Sequence, residues 1–273
     1  MGSFSAVSFL HAALVRVTGW MSVLISVCFF TATYDTAQVK LTLLHMGAII
    51  LLALWTALKI AQRKSPFSRQ TIPYLLPVLA YAGWNTLCFM LAPYHIEAAE
   101  EFIRFLLYIG ITLLAATEFS LQDIKTITRY IVITAWISFA YAALQTLDLV
   151  VPGADPMPWR GFFAKRVFST HANPNFFGDF AVFASCITSC YYLLTRKKSL
   201  LVLLGIGLVG LFFTESKGAW LAYAASAAIG AFLFTNYLAS LPKKRLRVIN
   251  GVAVALLLLV LALAGLFTAK RFQ

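Results

Sequence analysis

Charge is what this chain has least of: Asp, Glu, Lys and Arg make up 12% of its 273 residues, and only ten of these are acidic. A water-solvated domain carries roughly a quarter charged residues, so a soluble globular surface is excluded. Cysteine is also sparse. Cys28, Cys88, Cys186 and Cys190 all lie in apolar runs, where a thiol packs as a small hydrophobe, so neither a disulfide framework nor a zinc site is indicated. Polar stretches are short as well, none exceeding roughly the 20 residues of Val150–Thr170, which leaves no room for a separate soluble domain. Acidic residues do not gather opposite the basic ones: Glu215 and Asp179 alone do not make a magnesium cage. No metal and no cofactor is expected.

What the chain does have is apolar length, with 61% hydrophobic residues and a mean hydropathy of +0.83. Runs able to cross about 30 Å of hydrocarbon recur throughout. They predict about nine transmembrane helices: Val17–Thr33, Leu41–Ile60, Ile72–Leu91, Ala98–Thr117, Ile127–Leu149, Pro174–Leu194, Leu200–Phe213, Lys217–Ala239 and Val248–Thr268. The expected fold is therefore all-α, a polytopic integral membrane helical bundle forming one transmembrane domain over residues 1–273. Leu200–Phe213 is short for a span and needs flanking residues or a thinned bilayer. Residues 1–15 carry no basic leader pattern and are expected along the membrane surface.

The net charge of +12 does not point to nucleic acid, because Lys and Arg neither form a folded basic face nor alternate with aromatics. They collect in the connections, which is how topology is encoded. Alternate connections hold Lys59, Arg63, Lys64, Arg69, Lys125, Arg129, Arg196, Lys197, Lys198, Lys243, Lys244, Arg245 and Arg247 on one side. The other side holds Lys40, Arg104, Arg160, Lys165, Arg166 and Lys217, with the acidic Glu97, Glu100 and Glu101. The richer side faces the cytoplasm, so the N-terminus is expected to be cytoplasmic and Arg166 to lie outside. Cations that remain outside against this bias have the better claim to a function.

The segment RVFSTHANPNFFGDF, Arg166–Phe180, runs from a basic polar stretch directly into an apolar helix. Asn173 followed by Pro174 reads as an N-cap and first helical residue. Arg160, Lys165 and Arg166 would thus share a small volume with the positive end of a helix, an arrangement suited to an anion. The plainer alternative is a capped helix whose cations rest on lipid headgroups. In TESKGAW, Thr214–Trp220, Ser216 is placed to cap a second helix starting on the same face, with Lys217 beside it. Lys217 has alternatives of its own, snorkelling to headgroups or a pair with Glu215. Arg104 either contacts a lipid phosphate or pairs with Glu100 or Glu101 one turn back. His171 has no acid spaced to orient it as a base. Asp179, expensive in a span unless paired, has Arg166 as its expected partner.

These residues carry a resemblance. RVFSTHANPNFFG is similar to the Arg-x-x-Ser, spacer, Asn-Pro-Asn-x-x-Gly segment of the bacterial O-antigen ligase family, and TESKGAW resembles that family's Thr-x-Ser-Arg-Gly-Ala segment, with Lys217 in the Arg position. The YDTAQVK turn is similar too. The resemblance implies a metal-independent glycosyltransferase of the bacterial cytoplasmic (inner) membrane. It would move a glycan from undecaprenyl pyrophosphate to a lipid, polymer or protein acceptor at the outer face. Polymerases of polysaccharide repeats belong to the same family, and a small-anion, bicarbonate-type transporter is the alternative from another class. The implied donor-pyrophosphate residues are Arg166, Lys217, Arg160, Lys165, Asn173, Asn175 and Arg104; no catalytic residue can be assigned. Family members continue into a large outer loop bearing His and Arg and then further spans. The 273 residues are accordingly expected to be part of a longer protein, inactive alone.

Overall fold

The computed structural model describes residues 6–28, 36–63, 65, 72–154, 159 and 165–237. Among these the regular structure is helical, with no strand. Eight α-helices follow in order: α1 Ala6–Val27, α2 Thr36–Gln62, α3 Ile72–Met90, α4 His95–Glu118, α5 Leu121–Val150, α6 Pro174–Thr195, α7 Ser199–Phe213 and α8 Lys217–Tyr237. A short 3-10 turn, Ser169–His171, precedes α6. Among the described residues four helices are long and apolar enough to cross a membrane, namely Ala6–Val27, Gln38–Gln62, Leu121–Val150 and Pro174–Thr195. The expected ninth run, Val248–Thr268, and the cations Lys243 to Arg247 lie outside the described residues.

The start of the chain departs from expectation. Of the residues 1–15 expected apart from the first span, 6 to 15 form the first turns of α1, which runs unbroken to Val27, and 1 to 5 lie outside the described residues. No proline interrupts that stretch, so nothing stops the helix from propagating.

The chain forms two compact units that part within α5, after Ile131. In the first, α1 packs on α2, α2 on α4, and α3 on α4. Leu14, Leu51, Leu58 and Leu114 form its buried centre. Polar ties lock the helix ends. Lys40 Nζ donates to Ile25 O and Ser26 O at 2.8 and 2.9 Å, satisfying carbonyls that the C-terminus of α1 cannot pair internally. Lys59 Nζ meets Glu118 Oε1 at 2.5 Å, and Trp55 Nε1 donates to the same oxygen at 2.9 Å. At the start of α5, Ser120 N donates to Asp123 Oδ2 at 2.9 Å while Asp123 N reaches Ser120 Oγ at 3.3 Å, a reciprocal cap that His11 Nε2 joins at 3.1 Å.

In the second unit α6 is central, touching α7, α8 and the 3-10 turn. Its core mixes Phe139, Phe177 and Leu203 with Ala135, Ala142, Ala181, Ala184 and Ala219. Small residues let helices without a hydrophobic driving force between them approach closely. Gly178 is the clearest case: a Cβ there would sit 2.8 Å from Ala219 Cβ and 3.2 Å from Ser216 Cβ. That contact brings the first turns of α6 and α8 side by side.

Candidate functional site at the α6–α8 corner

Residues 165–173 are the longest described stretch outside an α-helix, and their backbone is tied down by two neighbouring helices, α7 and α5. Val167 N donates to Phe213 O at 2.9 Å, one of the carbonyls left over at the end of α7. Gln145 Oε1, on α5, accepts from Phe168 N at 3.2 Å and Ser169 N at 2.8 Å. Ser169 Oγ donates to Ser138 O at 2.5 Å, and Ser138 Oγ lies 3.1 Å from Thr170 Oγ1. Val167 to His171 are all buried. Non-helical backbone inside an apolar bundle is tolerated only where protein satisfies it, and here α5 does so.

α5 supplies those partners because Thr134, Ser138, Gln145 and Asp148 are all buried on one face. Their spacing of four, seven and three residues keeps them on a single stripe. Asp148 Oδ1 closes the far end by accepting from Gly153 N at 2.6 Å. None of these residues was singled out from the sequence, although a helical-period polar stripe within an apolar run is a legible signal.

Arg166 is the side chain this scaffold presents. Its Nε donates to Thr214 O at 2.7 Å, between α7 and α8, and its Nη2 donates to Asn175 Oδ1 at 2.9 Å, in the first turn of α6. One guanidinium thus bridges the starts of α6 and α8. Two of its five N–H groups are engaged there, leaving three for a ligand. Thr214 O also belongs to the negative end of α7, so part of the Arg166 charge is balanced locally.

Asn173 caps α6 as the sequence implied, its Oδ1 accepting from Asn175 N at 2.8 Å. That oxygen is therefore structural, and Asn175 acts through Arg166. Lys165 is exposed and holds a left-handed backbone (φ 68°), as do Ser169, Ala172 and Glu215 nearby. Each non-glycine residue in that region stores of order 1 kcal/mol that the surrounding contacts must offset. Lys217 is half-buried as the first residue of α8, three positions after Thr214.

The expected Arg166–Asp179 pair does not form: Asp179 is exposed and makes no ion pair among the described residues, because Arg166 is turned toward Thr214 and Asn175. Ser216 opens α8 by accepting Trp220 N at 3.0 Å through its carbonyl, while its own N–H goes to Thr214 Oγ1 at 3.1 Å. His171 is buried, stacked on Phe180 at 4.3 Å with Nδ1 3.4 Å from Thr170 Oγ1. Arg160 lies outside the described residues. Arg104 belongs to the first unit, where Nη1 meets Glu101 Oε1 at 2.6 Å. No group of three or more His, Cys, Asp or Glu able to hold a metal occurs among the described residues.

No known family model matches the chain, no curated protein resembles it, and no solved structure matches it.

Proposed function

We propose that the α6–α8 corner binds the pyrophosphate of a lipid-linked glycan donor, and that the protein transfers that glycan to an acceptor. The observation that carries this reading is the Arg166 bridge between two adjacent helix starts, with Lys217 the first residue of α8 and Lys165 preceding Arg166 in the chain. Pyrophosphate leaves with growing negative charge. Cations and N–H dipoles fixed in advance stabilise that charge without reorganising, a role that magnesium fills elsewhere. The likeness to O-antigen ligase motifs supplies the chemistry: undecaprenyl pyrophosphate as carrier, and a lipid, polymer or protein acceptor. Polymerisation of repeat units uses the same donor site.

In this reading about nine helices span the bacterial inner membrane with the N-terminus in the cytoplasm, and the corner faces outward, where such donors are displayed. The test is transfer of labelled glycan from an undecaprenyl carrier by the full-length protein in vesicles, with Arg166→Ala and Lys217→Ala compared at matched protein levels. Loss of about a hundredfold is expected for deletion of one preorganised contact. Parental rates in both variants would remove the proposal.

Buried non-helical backbone on a polar α5 stripe also suits a small-anion transporter, whose sites use interrupted helices. Uptake of labelled bicarbonate into vesicles that show no glycan transfer would favour that second reading.

A further inference from the structure

Within the first unit, α3 and α4 form a hairpin joined by two aromatic pairs, Tyr81 with Phe105 at 4.7 Å and Phe89 with Phe102 at 5.0 Å. All four rings line a cleft of about 320 Å³. Its polar lining includes Arg104, Glu101 and Asn85, and Cys88 also faces it. The charges are unevenly placed. Arg104 has a side chain only 20% exposed, whereas Glu101, its partner one turn back, is 70% exposed. The cation is held inside while the acid stands in the open.

Glu101 occupies Nη1 alone, and Arg104 Nε is buried with no hydrogen-bond partner among the described residues. A guanidinium held this way keeps its Nε–Nη2 edge for an acceptor with two oxygens, and phosphate fits that fork. An exposed ion pair adds little stability, so a phosphate that a partly dry cleft shields from water can displace Glu101. The rest of the lining is aromatic, which suits hydrocarbon. Leu76, Leu79, Trp84 and Leu87 are exposed along α3, so the cleft belongs to a surface suited to lipid.

We propose that the α3–α4 cleft is a binding site for a phosphate-headed lipid, with Arg104 holding two phosphate oxygens side-on and the first part of the lipid chain lying along Tyr81, Phe105 and Phe89. The site is built wholly within the first unit and does not depend on the function assigned to Arg166. Diacyl phospholipid and isoprenoid phosphate present the same headgroup chemistry.

Cys88 is exposed in this lining and serves as the reporter. The full chain is purified in detergent with Cys28, Cys186 and Cys190 replaced by Ala, and Cys88 alkylation by N-ethylmaleimide is timed. Dioctanoyl phosphatidate and farnesyl phosphate are titrated beside dioctanoylglycerol and farnesol. At about ten times the half-protecting concentration, a phosphate lipid should slow labelling by about tenfold, as simple occupancy requires. Glu101→Gln, which removes the competing acid, should lower the half-protecting concentration. Arg104→Lys, which keeps the charge but loses the fork, should raise it several-fold, and Arg104→Gln should abolish protection. Protection by both phosphates marks bulk phospholipid as the source, and protection by farnesyl phosphate alone marks an isoprenoid carrier. Equal protection by farnesol and dioctanoylglycerol overturns the proposal, as does a half-protecting concentration indifferent to Arg104→Lys and Glu101→Gln.

Discussion

Gln145 and Ser169 are joined across the second unit by a 2.8 Å hydrogen bond from the Ser169 backbone to the Gln145 side-chain oxygen, and Gln145 is completely buried. A polar side chain in an apolar helix is thereby explained by what it holds rather than by what it binds. Replacing it with Leu strands two backbone N–H groups in a dry interior, at about 1–3 kcal/mol each. Gln145→Leu should lower the thermal midpoint in detergent and speed tryptic cleavage after Lys165 and Arg166. Gln145→Glu keeps the acceptor and should be milder. Unchanged cleavage in the Leu variant would mean that the α5 stripe does not restrain the loop.

Asn175 touches the proposed ligand site only through Arg166. Asn175→Ala frees Nη2 and should reduce glycan transfer by about tenfold, less than loss of Arg166 itself, since a hydrogen bond to a charged group is worth about 1.5–3 kcal/mol. Asn175→Asp places a carboxylate on the same guanidinium and competes with phosphate. It should therefore be more damaging than Ala, with KM for the donor rising. Lys217→Arg retains the charge and should be tolerated.

Gly178 fixes how closely α6 and α8 approach. Gly178→Ala forces apart backbones that already meet Ala219 and Ser216, and overpacking of this kind costs about 1–3 kcal/mol. Thermal unfolding of the variant should show that loss, and Gly178→Leu should fail to accumulate. Gly218, where an added Cβ meets nothing within 4 Å, is the control expected to accept Ala.

At the end of α4, burial acts to raise the Glu118 carboxyl, but hydrogen bonds from Lys59 and Trp55 and the Lys59 charge outweigh it and hold the group below the usual carboxylate range. A folded-state value below the unfolded one gives stability that is present above the unfolded value and lost as pH falls through the folded one. Thermal midpoints should therefore fall on acidification below the ordinary carboxylate range. Glu118→Gln should flatten part of that dependence. Glu118→Ala, which strands a lysine only 16% exposed, should cost about 3–5 kcal/mol.

α6 runs from Pro174 to Thr195 and is long and apolar enough to cross a membrane by itself. Cysteines introduced at Ala154 and Lys198, before and after it, should label from opposite sides in sealed vesicles, Ala154 from outside. Labelling of both from one side would overturn the topology and the outward placement of Arg166.

Each of the first eight apolar runs overlaps one helix among the described residues, since long uninterrupted hydrophobic segments admit little else once the backbone must satisfy itself. The α6 start was legible too, because Asn173 and Pro174 are local signals read out by the next two residues. Helix limits were less so: α1 begins eleven residues before the expected Val17, where hydropathy falls but nothing breaks the helix.

Sequence by itself determined that the protein is an apolar helical one, that cations gather just before α6 and that a lysine opens α8, because these follow from composition and near-neighbour chemistry. Only the tertiary structure decided what Arg166 does. The sequence offered Asp179 thirteen residues away; the fold instead supplied Thr214, 48 residues away, and Asn175. Gln145 meets Ser169 for the same reason. A hydrogen bond depends on where helix packing places its partners, and Gly178 against Ala219 sets that distance through a contact no local pattern encodes.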